Sequence, residues 1–504
     1  MSKTPRQPEL LTGALPPRLV ADLHEQNPWW AGRALPPIPS FKRWPFEPLL
    51  KRITREPPLA RINVLRGPRQ IGKSTLQYQL IEHLLANGVE PRRIFRVQFD
   101  ELPSLRPLAK GEPILEVVEW FERTLLKGDL NRAARSGKPA FLFLDEVQNL
   151  ADWHIQLKAL VDRTDVRLLV TGSSALRIEQ GRDSLAGRIQ TLEVGPFRLS
   201  EIAGIRKLGK LPPFESGNGW GSWARQSFWT DLVSHGRQHK KVRDRTFKAF
   251  SDRGGYPLAQ RDDVDWPEIA HQLNETVVRR VIQHDLRVGE RGRRRDAKLL
   301  EEMFRMAARY CGQSPRLATL AQEARETMET DVGVQRVRAY LDFLANSLLI
   351  RTIEPHEMRL KKRHGGPKYC LSDHALRAAW LDEIVPLDAE GLEDGQDLAT
   401  LAGRIAESSV GYFFASLGIP VAYLPERGGM PEVDFILTAG DHRIPVEVKY
   451  QRRIVAKDCA GLQAFMAKKP NRASVGIIVT RDDGPHELPD GIVSLPLKTL
   501  LLAR

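Results

Sequence analysis

The sequence predicts an α/β protein whose first folded part is built on a parallel sheet. From about residue 46 to 200, strand-like stretches alternate with helix-like stretches. The run Pro139–Leu144 is apolar throughout, which is typical of a strand buried on both faces of a parallel sheet. A glycine-rich loop, Gly67–Thr75, lies between a predicted strand and a predicted helix. These observations predict the fold class and place a ligand site at the carboxyl ends of the strands.

The glycine-rich loop fits the phosphate-binding pattern GxxxxGK[ST] at every fixed position. Gly67 and Gly72 allow successive backbone N–H groups to turn towards phosphate oxygens. Lys73 is expected to reach the β- and γ-phosphates, and the Ser74 hydroxyl is expected to ligate Mg²⁺. ATP and Mg²⁺ are therefore the predicted cofactors, with a glycine-rich turn and an accidental lysine as the alternative. The predicted nucleotide-binding residues of this loop are Gly67, Pro68, Arg69, Gln70, Ile71, Gly72, Lys73, Ser74 and Thr75.

Two acids, Asp145 and Glu146, follow the apolar run directly. A buried parallel strand would deliver both carboxylates to the ligand-binding edge of the sheet. Asp145 is expected to belong to the nucleotide site and to hold Mg²⁺, directly or through water. Glu146 is expected to orient and deprotonate the attacking water. Downstream of a P-loop, this pair predicts nucleotide hydrolysis.

Polar groups after the next strand extend the predicted site. Ser173 follows the strand Val166–Val170, where a hydroxyl could sense the γ-phosphate, and capping of the next helix is the alternative. Arg188 lies on a predicted turn and could act in trans as an arginine finger if subunits form a ring. A solvated surface arginine is the commoner meaning of such a residue.

Composition limits the class of partner and the compartment. A chain of 504 residues suggests three or four domains. The formal net charge of +13 favours contact with a polyanion such as DNA, and an indifferent basic surface is the alternative. The widely spaced cysteines exclude a disulfide framework or a zinc knuckle. No apolar run of about 18 residues and no secretory signal appear, so we expect a cytoplasmic protein without membrane contact.

Patterning divides the chain into five segments. The first is a Pro/Trp-rich arm whose Trp29, Trp30 and Trp44 are expected to pack on the nucleotide domain or on a neighbouring subunit. Trp220 and Trp223, in an expected loop followed by a short helix, could contact nucleic acid, although an exposed insertion is the simpler interpretation. The predicted segments are the arm (1–45), the P-loop core (46–200), a helical lid region with a basic insertion (201–295), a winged-helix-like domain (296–375) and a C-terminal α/β domain (376–504).

The winged-helix prediction rests on three amphipathic helices followed by a strand. The third helix, with Gln335, Arg336 and Arg338, would enter a major groove if this domain reads DNA. Packing or a relay between domains is the alternative role of such a domain.

The C-terminal segment carries a second set of charged residues. Glu407 lies on a predicted helix, and Asp434 begins a predicted strand. Glu447 and Lys449 are two residues apart on the next strand and therefore share a face. Glu407, Asp434 and Glu447 are the predicted metal ligands, and Lys449 would stabilise charge on a phosphate. Strand-edge charges without a metal are the alternative.

Several of these motifs together resemble a known family, the prokaryotic AAA+ ATPases with a C-terminal nuclease-like domain of unknown function. The charged C-terminal residues look like the PD-(D/E)xK nuclease motif, although Pro431 precedes Glu432 and is displaced from Asp434. The resemblance covers nearly the whole chain and rests on Gly67–Thr75, Leu144–Gln148, Thr171–Ser174, Leu185–Arg188, Arg253–Pro257 and the C-terminal set.

The resemblance implies an AAA+ domain and a PD-(D/E)xK nuclease-like domain, which stand on either side of the predicted winged-helix-like domain. It also implies ATP hydrolysis, assembly into a homo-oligomer and a role on DNA. We therefore expect an ATP-hydrolysing protein that binds or remodels DNA, in which Asp434, Glu447 and Lys449 carry metal-dependent cleavage if cleavage occurs. The alternative is a regulatory ATPase switch whose nuclease-like domain only binds a protein or nucleic-acid partner.

Overall fold

The computed structural model describes residues 15–108, 111–147, 150–172, 185–215, 219–284, 296–356, 365–393, 398–426, 431–484 and 486–504. The chain divides into two compact units. The first comprises residues 1–67 and 72–194, and the second comprises residues 68–71 and 195–504. Within the described ranges, no helix combines the length and the apolar character that a membrane crossing requires.

A parallel sheet forms the centre of the first unit. Its five strands stand in the order β2-β3-β4-β1-β5, and each neighbouring pair is parallel. All residues of β3 are buried, as expected for a strand covered on both faces. The predicted parallel-sheet α/β fold is thus confirmed for this part of the chain. The strands are β1 (Ile62–Arg66), β2 (Ile94–Gln98), β3 (Phe141–Asp145), β4 (Arg167–Gly172) and β5 (Ile189–Glu193).

Helices of the first unit follow or flank these strands. The side chain of Asp129 begins one of them by accepting a hydrogen bond of 2.7 Å from the Arg132 backbone N–H. The helices are α1 (Pro17–Gln26), α2 (Phe46–Thr54), α3 (Lys73–Ala86), α4 (Pro113–Phe121), α5 (Leu130–Arg135) and α6 (Trp153–Arg163).

The N-terminal arm covers the edge strand β2. Asn27 accepts a hydrogen bond from the Arg96 backbone N–H at 2.7 Å and donates to the Arg96 carbonyl at 2.8 Å. The indoles of Trp29 and Trp30 both donate to the carbonyl of Ile94, at 3.1 and 2.8 Å. Polar and aromatic side chains thereby satisfy a sheet edge that would otherwise be open. Trp29 and Trp30 therefore pack on the chain's own first unit.

The second unit contains a separate mixed sheet. Its strand order is β12-β11-β10-β9-β8, with β9 antiparallel to both neighbours and the remaining pairs parallel. A smaller antiparallel pair, β6 and β7, precedes it. The strands are β6 (Ile350–Ile353), β7 (Lys368–Leu371), β8 (Val421–Leu424), β9 (Val433–Ala439), β10 (His442–Lys449), β11 (Gly476–Thr480) and β12 (Ile492–Pro496).

Three helices, α12 to α14, come before the β6–β7 pair, in the order that the sequence predicted. Asp296 begins α12 by accepting a hydrogen bond of 3.2 Å from the Leu299 backbone N–H. The helices of the second unit are α7 (Leu199–Ile205), α8 (Gln226–Gln238), α9 (Lys240–Arg253), α10 (Trp266–Leu273), α11 (Arg280–His284), α12 (Ala297–Arg309), α13 (Leu317–Met328), α14 (Val334–Asn346), α15 (His374–Leu381), α16 (Ala389–Glu393), α17 (Ala399–Leu417), α18 (Ala460–Met466) and α19 (Leu497–Leu500).

The region around residues 205–245, expected to be a loop and a short helix, instead contains all of α8 and the start of α9. Trp223 is fully buried and stacks on Phe228 with ring centroids 5.1 Å apart. Its backbone carbonyl accepts a 2.8 Å hydrogen bond from the indole of Trp229. The suggested contact of Trp223 with nucleic acid is therefore wrong, because this side chain belongs to the core.

Candidate functional site

The P-loop connects β1 to α3 and has the backbone that its glycines allow. Gly72 adopts a left-handed conformation with φ of 88°, and Gln70 has φ of 60°. A Cβ atom at Gly67 would lie 2.3 Å from the Val194 carbonyl oxygen, so a larger residue does not fit. Lys73 is buried at the start of α3, and its ammonium donates to the Gly67 carbonyl at 3.0 Å. The loop lysine is thus held against the loop backbone.

Ser74 and Asp145 meet at the carboxyl end of the sheet. The Ser74 hydroxyl donates a 2.8 Å hydrogen bond to Asp145 Oδ2. Thr171, near the end of the neighbouring strand β4, donates to Asp145 Oδ1. The Gln77 amide in turn donates to the Thr171 hydroxyl at 2.8 Å. A hydroxyl and a carboxylate together are oxygen ligands that suit Mg²⁺, so the donor set fits the cation that the sequence predicts.

Arg96, which the sequence interpretation missed, completes this network. It lies in β2 and is 1% exposed. Its Nη2 is 3.4 Å from Asp145 Oδ2, and its Nε donates to Gln77 Oε1 at 3.1 Å. The guanidinium also lies over the Tyr78 ring, 4.5 Å from the centroid. A basic residue in the middle of an apolar strand was the only available signal in the sequence.

Of the other predicted residues, Glu146 directly follows Asp145, whereas Arg188 lies at the amino end of β1, where its carbonyl accepts a 2.9 Å hydrogen bond from the Ile62 N–H. Glu146 has a left-handed backbone with φ of 54°, and its N–H donates to the Thr171 carbonyl at 3.0 Å. Such strained residues are frequent at functional sites.

Ser173 lies outside the described residues. Arg188 forms an ion pair with Asp162 at 2.5 Å, and this guanidinium lowers the pKa of the Asp162 carboxyl.

The charged C-terminal residues gather around a lysine that the sequence interpretation did not select. Lys368, the first residue of β7, is 2% exposed at its side chain. Its ammonium donates to Glu407 and lies 3.3 Å from Asp434 Oδ1 and 3.6 Å from Glu432 Oε1. Glu407, Glu432 and Asp434 are called the acidic cluster below. Lys368 is separated from them by 39 to 66 positions in sequence, so no local motif reveals it.

Glu447 and Lys449 form a second pair on β10. The Lys449 ammonium donates to Glu447 Oε1 at 2.6 Å. The other oxygen, Glu447 Oε2, is buried and finds no hydrogen-bond partner among the described residues. Asp434 Oδ2 accepts a 2.8 Å hydrogen bond from the Val448 backbone N–H, which connects β9 to β10 at this point.

Burial dominates the protonation equilibria of these carboxylates. It raises the pKa of both Glu407 and Glu447, and the neighbouring Asp434 raises each of them further. Burial alone would lower the pKa of Lys368, but the surrounding carboxylates outweigh it and raise this pKa above its usual range. Lys368 is therefore a charged ammonium in this site.

The predicted metal ligands Glu407, Asp434 and Glu447 are divided between two lysines. Glu407 and Asp434 contact Lys368, whereas Glu447 contacts Lys449. Over the ranges that the structure describes, no three His, Cys, Asp or Glu side chains are grouped to hold a metal ion. In this arrangement the carboxylates do not fit a metal ion, because the Lys368 and Lys449 ammonium groups already contact oxygens that the ion would need.

Comparison with known families places the P-loop unit in a class. Residues 60–203 match the AAA domain family. Together with the parallel sheet and the P-loop, this match supports an AAA-type P-loop ATPase domain. Residues 244–385 and 403–500 match two domains of unknown function, DUF8612 and DUF4143.

Individual relatives extend over more of the chain. An uncharacterized protein of Methanocaldococcus jannaschii is 24% identical over 480 residues, which cover 92% of this chain and 89% of that protein. An uncharacterized protein of Mycobacterium tuberculosis is 23% identical over 395 residues, which cover 75% of this chain and 71% of that protein. Among solved structures, a Walker-type ATPase of Pyrococcus abyssi is similar with a TM-score of 0.41 and 15% identity, covering 69% of this chain and 99% of that chain.

Proposed function

We propose that this protein hydrolyses ATP at the P-loop and couples turnover to binding or remodelling of DNA. The observation that carries the ATPase proposal is the 2.8 Å contact between Ser74 and Asp145, beside the P-loop lysine of an AAA-type domain. Lys73 would bind the β- and γ-phosphates, while Ser74 and Asp145 would hold Mg²⁺. When bound, this cation neutralises charge on the phosphates. Glu146 would orient the attacking water and take its proton.

Arg188 and Ser173 are the proposed accessory residues. Ser173 would sense the γ-phosphate, and Arg188 would act on the site of a neighbouring subunit in a homo-oligomer. The ion pair of Arg188 with Asp162 would have to open for that role, and both side chains are at least one-third exposed. Water and salt screen an exposed ion pair of this kind, so opening it is no large obstacle.

The DNA proposal rests on charge and on one helix face. The chain carries a formal net charge of +13. Gln335, Arg336 and Arg338 are exposed on α14, where a winged helix would present its recognition surface. A path of six or more phosphate contacts should lose on the order of a thousandfold in DNA affinity between about 50 and 200 mM salt. A DNA affinity that does not change with salt concentration would contradict the proposed DNA contact.

ATP turnover by the full chain tests the enzymatic part. We expect Lys73→Ala to lose nucleotide binding and hydrolysis together, since the phosphates lose their cationic partner. Lys158→Ala is the matched control, because Lys158 is an exposed lysine of α6 in the same unit. Normal turnover by Lys73→Ala would contradict the proposed site.

A second candidate function is a regulatory ATPase switch whose C-terminal domain binds a partner without cutting. The contacts of Lys368 with the acidic cluster favour it, because they occupy Glu407 and Asp434, two of the three predicted metal ligands. Incubation of branched DNA with Mg²⁺ or Mn²⁺ separates the two functions. Cleavage that disappears in Asp434→Ala would support a nuclease that uses Asp434, Glu447 and Lys449. Nucleotide-dependent assembly without cleavage would support the switch.

A further inference from the structure

We propose that Lys368 is a built-in cation of the acidic cluster and keeps divalent metal ions out of it. Its ammonium contacts one oxygen of each of Glu407, Glu432 and Asp434. This inference goes beyond the proposed function, because it involves neither ATP nor DNA.

The burial of Lys368 shows that its ammonium depends on the surrounding carboxylates. An isolated buried ammonium loses its hydration and is strongly destabilising, so a lysine with a 2% exposed side chain needs anionic partners. Equally, Glu407 and Asp434 have side chains that are only 19% and 11% exposed and need a cation. Lysine and carboxylates therefore satisfy each other, and removing either side leaves buried charge without a partner.

The backbone of β7 delivers Lys368 to this place. Tyr369 donates its N–H to the Gln313 carbonyl at 2.9 Å, and its carbonyl accepts from Gly312 at 2.7 Å. The Leu371 N–H donates to the hydroxyl of Ser408, on α17, at 2.9 Å. These bonds hold β7 next to the helix that carries Glu407. The backbone hydrogen bonds of β7 and the ion pairs of the ammonium therefore both fix the position of Lys368.

Aromatic rings and oxygen ligands both surround the Lys368 ammonium. The rings of Phe435 and Tyr423 lie 5.0 and 5.3 Å from the Lys368 ammonium, distances at which aromatic faces attract organic cations. A divalent ion instead requires several oxygen ligands. Oxygens for that purpose surround the ammonium, since the Asp434 carbonyl is also within 3.4 Å. Replacing the lysine with a neutral residue should therefore convert an ammonium site into a divalent cation site.

Mn²⁺ binding to the full chain without nucleotide tests this proposal. Electron paramagnetic resonance titration counts bound Mn²⁺ directly and does not depend on any activity. We expect Lys368→Gln to gain one saturable site, with affinity at least tenfold above the parent, and Lys368→Gln/Asp434→Asn to lose it. Lys457→Gln, which changes an exposed lysine of the same unit, should gain no site.

Two outcomes would overturn the proposal when Lys368→Gln folds. One is a saturable Mn²⁺ site in the parent protein that the Asp434→Asn substitution abolishes. This test needs no variant of Lys368. The other is folded Lys368→Gln that gains no site. If Lys368→Gln does not fold, Lys368→Arg provides the second variant: it keeps a cation, so we expect no Mn²⁺ site, and a gain of one would contradict the proposal. None of these results depends on ATP hydrolysis.

Discussion

The Ser74 hydroxyl donates a 2.8 Å hydrogen bond to Asp145, which lies 71 residues further along the chain. The contact joins the first turn of α3 to the end of β3. It places a hydroxyl and a carboxylate side by side at the carboxyl edge of a parallel sheet, where ligands of such sheets bind. The geometry of this pair leads to the first prediction.

Ser74→Ala should lose the Mg²⁺ dependence of nucleotide binding. The variant keeps Lys73 for the phosphates but lacks one of the two oxygen ligands that the structure pairs. Titration calorimetry with ATP, with and without Mg²⁺, measures the effect. Ser74→Thr retains the hydroxyl and is the matched control. Equal Mg²⁺ dependence in Ser74→Ala and the parent would contradict the assignment.

Glu146→Gln should bind ATP like the parent and turn it over on the order of a hundredfold more slowly, because the amide cannot take a proton from water. Steady-state hydrolysis and equilibrium nucleotide binding should be measured on the same preparation. Glu90→Gln alters a side chain outside the candidate site, one that pairs with Arg92 at 2.8 Å, and should leave both quantities unchanged. Parental turnover by Glu146→Gln would exclude Glu146 as the base.

Arg96→Met should destabilise the first unit. The change leaves the buried Asp145 carboxylate without its nearby guanidinium, and breaking a buried ion pair costs about 3 to 5 kcal/mol. Urea unfolding followed by tryptophan fluorescence measures the loss in the free energy of unfolding. Arg92→Met removes an arginine that is 54% exposed at its side chain and should cost less than about 0.5 kcal/mol. Equal stability of the two variants would show that Arg96 carries no charge-balancing role.

Contiguous motifs explain what the sequence could predict. The P-loop and the acids after β3 are short patterns with a fixed strand and helix context, so the parallel-sheet fold followed from local information. Arg96 could not be found in this way, because its contact with Asp145 depends on β2 and β3 being neighbours in the sheet. Strand order is set by packing of the whole unit, and periodicity does not encode it.

The charged residues of the C-terminal segment show more strongly that sequence patterns do not reveal tertiary contacts. Spacing on β10 correctly places Glu447 and Lys449 together, since residues two apart on a strand share a face. Lys368 comes from a different pair of strands, β6 and β7, and reaches Glu407 and Asp434 only through the tertiary fold. A lysine at the start of an otherwise apolar strand is a weak signal in any sequence.

Asn27→Ala should weaken the attachment of the N-terminal arm to β2. Asn27 satisfies both the N–H and the carbonyl of Arg96, and leaving buried backbone groups without partners costs about 1 to 3 kcal/mol. Limited proteolysis and urea unfolding should detect a loosened arm. Asn87→Ala is the control, because the Asn87 side chain makes only an exposed contact to the His83 carbonyl. No change in either measurement would contradict this role of Asn27.

Arg243 and Asp483 connect α9 to the C-terminal part of the second unit. Arg243 is fully buried and donates to both Asp483 oxygens, at 2.9 and 2.6 Å. Lys498 lies 3.0 Å from the same carboxylate. Burial opposes the charge of Asp483, but these two cations outweigh it, so the pKa of Asp483 is lowered in the folded protein.

Asp483→Asn should cost about 2 kcal/mol at pH 7, the scale of hydrogen bonds to charged groups. Because the folded pKa of Asp483 is lowered, its stabilisation is present above the unfolded value of about 3.9 and is lost as pH falls through the folded pKa. Urea unfolding from pH 7 to pH 3 should therefore show a constant gap between parent and variant down to about pH 4, which then narrows. Asp490→Asn changes an exposed aspartate and should follow the parent throughout. A gap that widens on acidification would contradict the ion pair with Arg243.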